Sequence, residues 1–365
     1  MRAWTYSRRG LPSQTIQLDT HFKAPSLSDV GPNDALVEIN YAAMNGGVAY
    51  FMQVVPPLPF SWISTNRVAI PELEFSGTLL AVGRDVLAAR PDLQPGTLVL
   101  GSCMPLEHFR RGCGTLAEYV VVPASRMVPI STAGEAAASK LSLAEAAGIG
   151  GVGATAVQIL DLSGLKTGDK VLINGGSAGS GVMMVQVARH VVGESGYVVA
   201  TCSAANAELV QSLGADEVID YRTHEPLHEY LRSSHHSKRQ FDAIIDCIGI
   251  QDLYTHSPEY LARGKPYLNI GALTATPTLA GFLSWTWTQM LNMFWPSFLG
   301  GVPRPYCFHS TTPDVNTLNR VKKLVAEGKL RQVVDSIWEM EDVLKAYERM
   351  ESKRARGKVI IHIQG

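Results

Sequence analysis

The middle of the chain alternates between short apolar runs and longer segments with helical spacing. Val171, Leu172 and Ile173 form a continuous apolar run, which is typical of a strand buried on both faces of a parallel sheet. The pattern predicts strands at 170–174, 197–202, 217–220, 242–246 and 266–270, with helices at 180–192, 205–213, 225–233 and 256–262. Apolar strands that alternate with helices of this length predict a parallel sheet with right-handed crossovers.

The first 128 residues have a different pattern, in which glycine and proline separate short strands. Strands are predicted at 35–41, 77–82, 97–100 and 115–122, with an irregular link at 86–94. Many short strands with such breaks favour a small barrel-like domain. Residues 45–60 show no clear period, but their aromatic residues and prolines suit a pocket wall.

Helical spacing returns at 143–163, in a segment rich in small residues. The chain then closes with a strand at 304–310, helices at 316–327 and 340–353, and a strand at 358–363. We therefore divide the chain into a β-rich part at 1–128, a parallel-sheet domain at 129–303 and a closing part at 304–365.

Residues 273–303 form an apolar segment within the parallel-sheet domain. No charged residue lies between Lys265 and Arg304, and three of the six tryptophans occur here. A membrane span needs about 20 mainly apolar residues, and polar residues and a proline interrupt this segment. We expect a buried helix or a lid, with peripheral membrane contact as the alternative. A lid with this aromatic content would cover a bulky apolar substrate, so Trp285 is a candidate substrate-binding residue.

The composition is that of an ordinary globular protein. The 365 residues are 46% hydrophobic and 18% charged, with a net charge of −1. This balance offers no electrostatic case for binding nucleic acid. The five cysteines are widely spaced and form no CxxC motif, which argues against a disulfide framework or a cysteine zinc cluster and favours a reducing compartment. The N-terminus looks like a first strand, so we expect a cytoplasmic protein.

The turn after strand 170–174 is the strongest candidate site. Its residues are Gly175, Gly176, Ser177, Ala178, Gly179, Ser180 and Gly181. A strand, a glycine turn and a helix N-terminus together make an anion site, because free N–H groups and the positive helix end point into the turn. Small residues also let a pyrophosphate approach closely. The pattern is weak evidence alone, and the flanking sequence decides whether it counts.

Seven segments supply that context in order along the chain. They are FSG at 75–77, AVG at 81–83, GTLAEYVVVP at 114–123, LSLAEAAGIGGVGATAVQ at 141–158, GGSAGSG at 175–181, LGADEVIDY at 213–221 and ARGKVIIHI at 355–363. Through them the whole chain resembles the medium-chain dehydrogenase/reductase superfamily, in particular its zinc-free quinone oxidoreductase and enoyl reductase branch.

The resemblance implies an α/β fold with a GroES-like β-barrel catalytic domain and a Rossmann dinucleotide-binding domain. On this reading, residues 1–128 are the N-terminal part of the catalytic domain. Residues 129–303 are the NADPH-binding Rossmann domain with 273–303 as an apolar insertion, and residues 304–365 return to the catalytic domain.

Zinc-dependent members of the superfamily hold a catalytic metal with a Cys, a His and a Cys. The matching positions here are Met44–Asn45, Leu73–Glu74 and Gly150–Gly151, and the four-cysteine loop is absent. Because a catalytic zinc needs about three protein ligands, we predict no metal, and we interpret the histidines, including His235 and His236, as surface or loop residues. The accessible reaction is then hydride delivery to a quinone or an α,β-unsaturated carbonyl, whose own oxygen carries the developing charge.

The end of the second Rossmann strand bears on the choice of nicotinamide. NAD-specific domains place an acidic residue there to bind the ribose 2′-hydroxyl. Here the strand ends in CSAAN at 202–206, without a carboxylate, which favours NADPH. Ser203 and Asn206 are candidate partners of the 2′-phosphate, with a turn residue and a helix N-cap as the alternative roles.

The resemblance implies further cofactor contacts. They are Thr155 at the nicotinamide ring, Tyr221 near the adenine ribose, Cys247, Ile248, Gly271 and Ala272 along the nicotinamide ribose, and Lys353 toward the phosphate. The alternatives are a hydroxyl bonded back to its own helix for Thr155 and a solvated charge for Lys353.

Candidate catalytic residues lie early in the chain. Asn45 matches the asparagine of an NPxD-like motif of the zinc-free branch, although GGV follows it here. Tyr50 is the best nearby proton donor by chemistry, with a packed aromatic as the alternative, because related enoyl reductases carry a tyrosine about five positions later. Phe60 and Trp62 are candidate substrate-binding residues.

Two functions remain open at this point. The first is an NADPH-dependent, zinc-independent oxidoreductase of quinones, enones or enoyl substrates, with secondary metabolism as a candidate setting. The second is a catalytically weak NADPH-binding partner protein that docks through 273–303. The resemblance also implies a homodimer.

Overall fold

A computed structural model describes residues 1–55, 57, 68–104, 108, 112–131, 141–272 and 276–364. The chain forms two compact units. Unit 1 consists of Met1–Ala154 and Thr312–Gly365, and unit 2 consists of Thr155–Thr311. The units divide at 154/155 and 311/312, whereas the sequence placed domain boundaries at 128/129 and 303/304.

Unit 1 is built mainly on antiparallel strands, with β14 and β15 parallel to each other. Its strands are β1 (Ala3–Thr5), β2 (Gln17–Asp19), β3 (Asp34–Ala43), β4 (Glu74–Val82), β5 (Leu98–Ser102), β6 (Tyr119–Pro123), β7 (Met127–Pro129), β14 (Val334–Glu339) and β15 (Lys358–His362). β1 pairs with β2, and a seven-stranded sheet runs β14-β15-β3-β4-β5-β7, with β6 added against β3. The closing strand β15 therefore lies beside β3, and it completes this sheet from the far end of the chain.

The helices of unit 1 surround this sheet. They are α1 (Pro12–Thr15), α2 (Gly46–Val54), α3 (Arg84–Ala89), the first part of α4 (Leu143–Ser163), α10 (Val315–Ala326) and α11 (Val343–Glu351). Helix α10 begins after Asp314, whose carboxylate accepts the N–H of Thr317 at 2.9 Å, and Gly328 follows its end in a left-handed conformation. The core of the unit includes the fully buried side chains of Phe75, Leu79 and Tyr347.

Unit 2 contains a six-stranded parallel sheet, in the order β10-β9-β8-β11-β12-β13. These strands are β8 (Lys170–Asn174), β9 (Tyr197–Cys202), β10 (Glu217–Asp220), β11 (Ala243–Asp246), β12 (Tyr267–Asn269) and β13 (Tyr306–Phe308). The helices are the rest of α4, α5 (Gly181–Val192), α6 (Ala207–Ser212), α7 (Leu227–Ser233), α8 (Gln251–Thr255) and α9 (Leu279–Phe294). Since all six strands run the same way, their carboxyl ends share one edge, where the glycine turn lies.

Helix α4 is long and apolar enough to cross a membrane by length and composition. However, 72% of its most apolar window is buried inside the fold, as expected for a core helix. Its many small residues allow close packing: a Cβ on Gly153 would lie 2.9 Å from Val321 of α10.

Several local predictions were wrong. The link at 86–94 contains helix α3, and residues 45–60 contain helix α2. The helix expected at 256–262 is replaced by α8 and a 3-10 turn at Ser257–Glu259, in a stretch where a proline interrupts helical hydrogen bonding. The strand expected at 304–310 in the closing part pairs with β12 and belongs to the parallel sheet.

The apolar segment does form a helix, α9, but the expectation that it is buried was wrong. One side of the helix lies on the sheet, where the buried Gln289 accepts from Asn269 at 3.2 Å. The other side is exposed. This α9 apolar face comprises Leu279, Leu283, Trp287, Met290, Leu291 and Phe294, continued by Trp295, Phe298 and Leu299. Trp287 is 66% exposed and Phe298 is 84% exposed.

Candidate active site

The glycine turn connects β8 to α5 at the carboxyl edge of the sheet. Gly175 N donates to Thr201 Oγ1 at 2.8 Å, and Gly176 N donates to the Thr201 carbonyl at 2.8 Å. Gly175 has φ +86°, and a Cβ on Gly181 would collide with the Gly175 carbonyl, so both positions require glycine. The turn is thus held against the end of β9.

Three N–H groups at the start of α5 are available for a ligand. Among the described residues, the N–H groups of Gly179, Ser180 and Gly181 make no backbone hydrogen bond outside the helix itself. The first N–H groups of a helix have no partner inside the helix, and its N-terminus carries partial positive charge. The turn therefore fits a pyrophosphate, as its sequence predicts.

A chain of buried polar side chains connects the strand ends behind the turn. Thr201 Oγ1 donates to Asn174 Oδ1 at 2.7 Å, and Asn174 Nδ2 donates to Asp246 Oδ1 at 2.8 Å. Tyr267 OH then donates to Asp246 Oδ2 at 2.6 Å. Our sequence reasoning missed these residues, although polar side chains that close apolar strands were a visible signal. They link the four neighbouring strands β9, β8, β11 and β12.

The two segments expected to line the nicotinamide ribose lie side by side. Asp246 Oδ1 accepts the N–H groups of Ile248 and Gly249, each at 2.9 Å, which shapes the loop after β11. A Cβ on Gly249 would lie 2.5 Å from the carbonyl oxygen of Gly271. Burial raises the pKa of Cys247 to about 12, so this residue stays a thiol. The structure thus brings Cys247 and Ile248 close to Gly271, and Ala272 follows directly.

At the end of β9, two of the predicted cofactor residues are near the turn. Ser203 is buried, and Asn206 Nδ2 donates to Ser177 Oγ at 3.0 Å. Asn206 is the N-cap residue of α6, but its side chain makes no capping hydrogen bond.

The neighbouring strand β10 brings two charged residues that sequence reasoning missed. Asp220 Oδ2 accepts the N–H of Ala204 at 3.1 Å, so a carboxylate does lie beside the end of β9. The Arg222 guanidinium lies 5.8 Å from the ring of Tyr221, which is 44% exposed. Strands β9 and β10 pair with Cys202 opposite Asp220. This register places Asp220, and Arg222 shortly after it, beside the end of β9.

The remaining candidates of unit 2 are Thr155 and Trp285. Thr155 Oγ1 accepts from Thr311 Oγ1 at 2.6 Å. Trp285 packs edge-on against Phe308 of β13, with 5.0 Å between ring centroids. Its Nε1–H is buried without a hydrogen-bond partner among the described residues. Lys353 lies in unit 1, exposed after α11 with φ +55°.

In unit 1, the three positions that match zinc ligands of relatives converge on Lys358. Its Nζ donates to Met44 O at 3.2 Å, to Asn45 Oδ1 at 2.6 Å and to Glu74 Oε1 at 2.9 Å. Glu74 Oε2 in turn accepts the N–H of Gly151 at 3.1 Å. We missed Lys358 in the sequence, although a lysine that opens the apolar closing strand was a signal. An ammonium group therefore occupies the centre of this cluster.

Glu72 extends the cluster. This fully buried residue has φ +66°, in the left-handed region that non-glycine residues rarely adopt. Its carboxyl group accepts from Tyr347 OH at 2.8 Å and from Asn45 N at 2.9 Å. Burial raises the pKa of Glu72 to about 8. The left-handed turn carries the Glu72 carboxyl group inward, where it fixes the start of α2.

The predicted catalytic residues differ in surroundings. Asn45 directs its amide at Ala43 O, Glu72 and Lys358, all within unit 1. Tyr50 is 7% exposed on α2, packs against Phe51, and has its pKa raised by burial. Phe60 and Trp62 lie outside the described residues.

Two histidines correct the interpretation of all ten as surface or loop residues. His108 is 5% exposed and shares a 2.9 Å hydrogen bond between its Nε2 and Tyr6 OH. His236 is fully buried.

Comparison with known proteins agrees with this geometry. Residues 31–132 match the family described as alcohol dehydrogenase GroES-like domain, and residues 213–361 match the family described as zinc-binding dehydrogenase. The trans-enoyl reductase poxH of Penicillium oxalicum is 50% identical, over 100% of this chain and 98% of its own length. The medium chain reductase pydE of Acremonium sp. is 36% identical, over 100% of this chain and 99% of its own.

The chain belongs to the medium-chain dehydrogenase/reductase superfamily. Among solved structures, a quinone oxidoreductase from Coxiella burnetii is similar with a TM-score of 0.75, 22% identity, and coverage of 100% of this chain and 99% of that one. It confirms the fold, with its GroES-like and Rossmann parts. Members of the superfamily bind a nicotinamide cofactor, and the glycine turn and its three available N–H groups fit one.

Proposed function

We propose that this chain is a zinc-independent reductase that transfers hydride from NADPH to an α,β-unsaturated carbonyl, in an enoyl or enone substrate, or to a quinone. The relative that is named a trans-enoyl reductase and is 50% identical to this chain supports an enoyl substrate. The observation that carries the proposal is the Lys358 cluster. It lies at the positions that the sequence analysis matched to zinc ligands, and a catalytic zinc is what separates alcohol oxidation from enoyl reduction in this family.

Zinc independence rests on the chemistry of that cluster. The groups that meet there are a methionine carbonyl, an asparagine amide, a carboxylate and an ammonium. Catalytic zinc sites use thiolate, imidazole and carboxylate ligands, and only the carboxylate of Glu74 belongs to that set. An ammonium bonded to the same carboxylate also repels a dication. The zinc-dependent members of this family use the metal to stabilise an alkoxide, whereas an enone carries the developing charge on its own conjugated oxygen.

The preference for NADPH rests on the ends of β9 and β10. Ser203 lies where NAD-specific domains carry a carboxylate, and Arg222 offers a positive charge in the turn after the neighbouring strand β10. The Asp220 carboxylate opposes a 2′-phosphate, but it is engaged by the N–H groups of Ala204 and Arg222. We propose that Ser203, Asn206 and Arg222 bind the phosphate, with Tyr221 beside the adenine ribose.

We assign the following roles to the residues. The turn at 175–181 binds the pyrophosphate through N–H groups, and the loops at 247–249 and 271–272 hold the nicotinamide ribose. The bound NADPH supplies the hydride. Asn45 is held in one orientation by Lys358 and Glu72, and Tyr50 is our candidate proton donor. Trp285 is our candidate contact for an apolar substrate, through the ring that packs against Phe308.

The proposal is tested by following NADPH oxidation with an enoyl thioester, a simple enone and a quinone, with and without a chelator. We expect turnover that chelator does not change, and a preference for NADPH over NADH. Tight NADPH binding without turnover on any acceptor would contradict a reductase and favour the alternative of a partner protein. Loss of activity with chelator, restored by zinc, would contradict zinc independence.

We further propose that the protein is a cytoplasmic homodimer in which the α9 apolar face is covered by a second copy. An exposed apolar face of this extent is unusual on a monomer, and strand β13 beside it is the outermost strand of its sheet. A membrane surface and another protein are the alternative partners. The oligomeric state of the purified protein distinguishes a second copy from these alternatives.

A further inference from the structure

A cluster of metal-ligating side chains lies at the amino edge of the parallel sheet, opposite the glycine turn. It consists of Glu217, the first residue of β10, and of His235 and His236 in the 3-10 turn after α7. Each residue offers one ligand atom, and these atoms lie within 4.8 Å of one another. A search of the described residues for three or more histidine, cysteine or acidic side chains with ligand atoms this close finds this group.

The donor spacing suits a small transition metal ion. His236 Nε2 lies 3.1 Å from Glu217 Oε1, and His235 Nε2 lies 3.4 Å from Glu217 Oε2. Ligands about 2.0–2.1 Å from a tetrahedral zinc ion are separated from each other by about 3.3 Å. Each imidazole nitrogen therefore lies at nearly such a separation from a different oxygen of the Glu217 carboxylate, and a bound ion would replace these two contacts.

We propose that Glu217, His235 and His236 form a divalent transition-metal site with a structural role, separate from the reductase chemistry. Two imidazoles and one carboxylate are a ligand set that zinc accepts, with water in the fourth position. The site lies at the far end of the strands from the cofactor turn. The prediction that the catalytic centre lacks a metal is therefore independent of it.

The surroundings orient the ligands. His236 is fully buried, stacked against Phe241 at 5.2 Å between centroids, so its ring is fixed. Tyr197 OH donates to Glu217 Oε2 at 3.2 Å, which orients the carboxylate. The side chain of His235 is 61% exposed, so an ion can enter from solvent. Orienting hydrogen bonds of this kind are a regular feature of metal sites.

One nearby charge opposes the ion. Lys170 Nζ lies 3.0 Å from His236 Nδ1 and donates to Arg239 O at 2.7 Å. For His236 Nε2 to bind a metal, its proton must shift to Nδ1, which then faces the Lys170 ammonium as a second donor, so Lys170 keeps only its bond to Arg239 O. The ammonium weakens the site without blocking it, so removing this charge should tighten metal binding.

A metal here would connect the turn after α7 to strand β10. Binding to the folded state alone raises the stability of unit 2 by mass action. The effect requires no change at the cofactor turn.

The test is a titration of the purified full-length protein with Co²⁺ and with Zn²⁺. Co²⁺ reports tetrahedral binding by its visible absorption, and Zn²⁺ is followed by thermal unfolding. We expect one equivalent of Co²⁺ to bind and Zn²⁺ to raise Tm. His235→Ala and Glu217→Gln should each weaken binding at least tenfold, and Lys170→Met should strengthen it.

The matched control is His256→Ala, from the stacked His228–His256 pair of the same unit, with 4.3 Å between ring centroids. It should bind Co²⁺ as the unmodified protein does. His235→Ala should leave NADPH oxidation unchanged, so this result is independent of the reductase assay. The proposal is overturned if Co²⁺ and Zn²⁺ give no response, if His235→Ala and Glu217→Gln bind normally, or if His256→Ala loses binding to the same extent.

Discussion

Lys358 Nζ donates to Glu74 Oε1 at 2.9 Å, and the two side chains are 3% and 4% exposed. The residues are 284 positions apart in the chain, yet they form a buried ion pair. Because the pair also holds Asn45 and Gly151, it fixes the local structure of unit 1 around the candidate catalytic asparagine.

Breaking this pair should be costly. Removing one partner of a buried ion pair leaves the other charge without compensation, which typically costs about 3–5 kcal/mol. We expect Lys358→Met to lower the denaturant midpoint strongly. Replacing both partners together, as in Lys358→Met with Glu74→Leu, should cost less than the two single changes combined.

Lys329→Met is the control, because its ion pair with Glu327 is largely exposed. Exposed pairs contribute little, so its denaturant midpoint should hardly change. Equal losses for Lys329→Met and Lys358→Met would show that burial of the Lys358 pair has no special effect.

Glu72 should make stability depend on pH. Burial raises its pKa to about 8 in the folded state, from 4.5 for an ordinary glutamate. Between these values the folded protein holds more protons than the unfolded chain. Stability from this group is therefore fully present below about pH 4.5 and falls as the pH rises to about 8, by at most about 1.4 kcal/mol per pH unit.

Glu72→Gln keeps the shape and removes the titration. The difference in denaturant midpoint between the unmodified protein and this variant should therefore change steadily between pH 5 and 8. Glu341→Gln, at a side chain that is 60% exposed, is the control. A parallel pH profile for the unmodified protein and Glu72→Gln would show that Glu72 titrates normally.

Arg222 should select NADPH. A charge-assisted bond to the 2′-phosphate is worth about 1.5–3 kcal/mol, which corresponds to about 10- to 100-fold in affinity. We expect Arg222→Ala to raise the KM for NADPH by such a factor and to leave the KM for NADH nearly unchanged. Ser203→Asp should also shift the cofactor preference toward NADH, because it adds the carboxylate that NAD-specific domains carry.

Arg232→Ala removes an exposed arginine of the same unit and serves as the control. If Arg222→Ala raised both KM values equally, the residue would act on the fold or on the shared part of the dinucleotide. The assignment to the 2′-phosphate would then be wrong.

Gly181→Ala should abolish dinucleotide binding. A Cβ at this position would collide with the backbone of Gly175, so the turn must open to accept it. We expect no NADPH response in a fluorescence titration, with the circular dichroism of a folded protein retained. Gly47→Ala is the control, because no atom lies within 4 Å of its added Cβ. Normal NADPH binding by Gly181→Ala would exclude this turn as the pyrophosphate seat.

The α9 apolar face should control assembly. Trp287→Glu places a charge at its centre, where burial against a second copy would desolvate that charge. Analytical ultracentrifugation should show a dimer for the unmodified protein and a monomer for this variant, while Asp161→Lys should leave assembly unchanged. A monomeric unmodified protein that binds phospholipid vesicles would instead identify a membrane surface as the partner.

Local patterns predicted much of the architecture. The apolar runs of β8, β9 and β11 occur where they were expected, because a strand buried on both faces requires continuous apolar residues. The turn at 175–181 was also identifiable, because its close backbone contacts allow only small residues. The predicted position of helix α8 was wrong, because the helix ends before the 3-10 turn that contains Pro258.

The sequence by itself therefore determined the α/β class, the alternation of strands and helices, and the location of the dinucleotide turn. These follow from the spacing of neighbouring residues. Only the tertiary structure decided that Lys358 meets Glu74, that Asp220 lies beside the end of β9, and that Glu217 meets His235 and His236. Such contacts depend on strand register and on packing between distant segments, which local spacing does not encode. For the same reason, the apolar composition of α9 did not show which side the sheet would leave exposed.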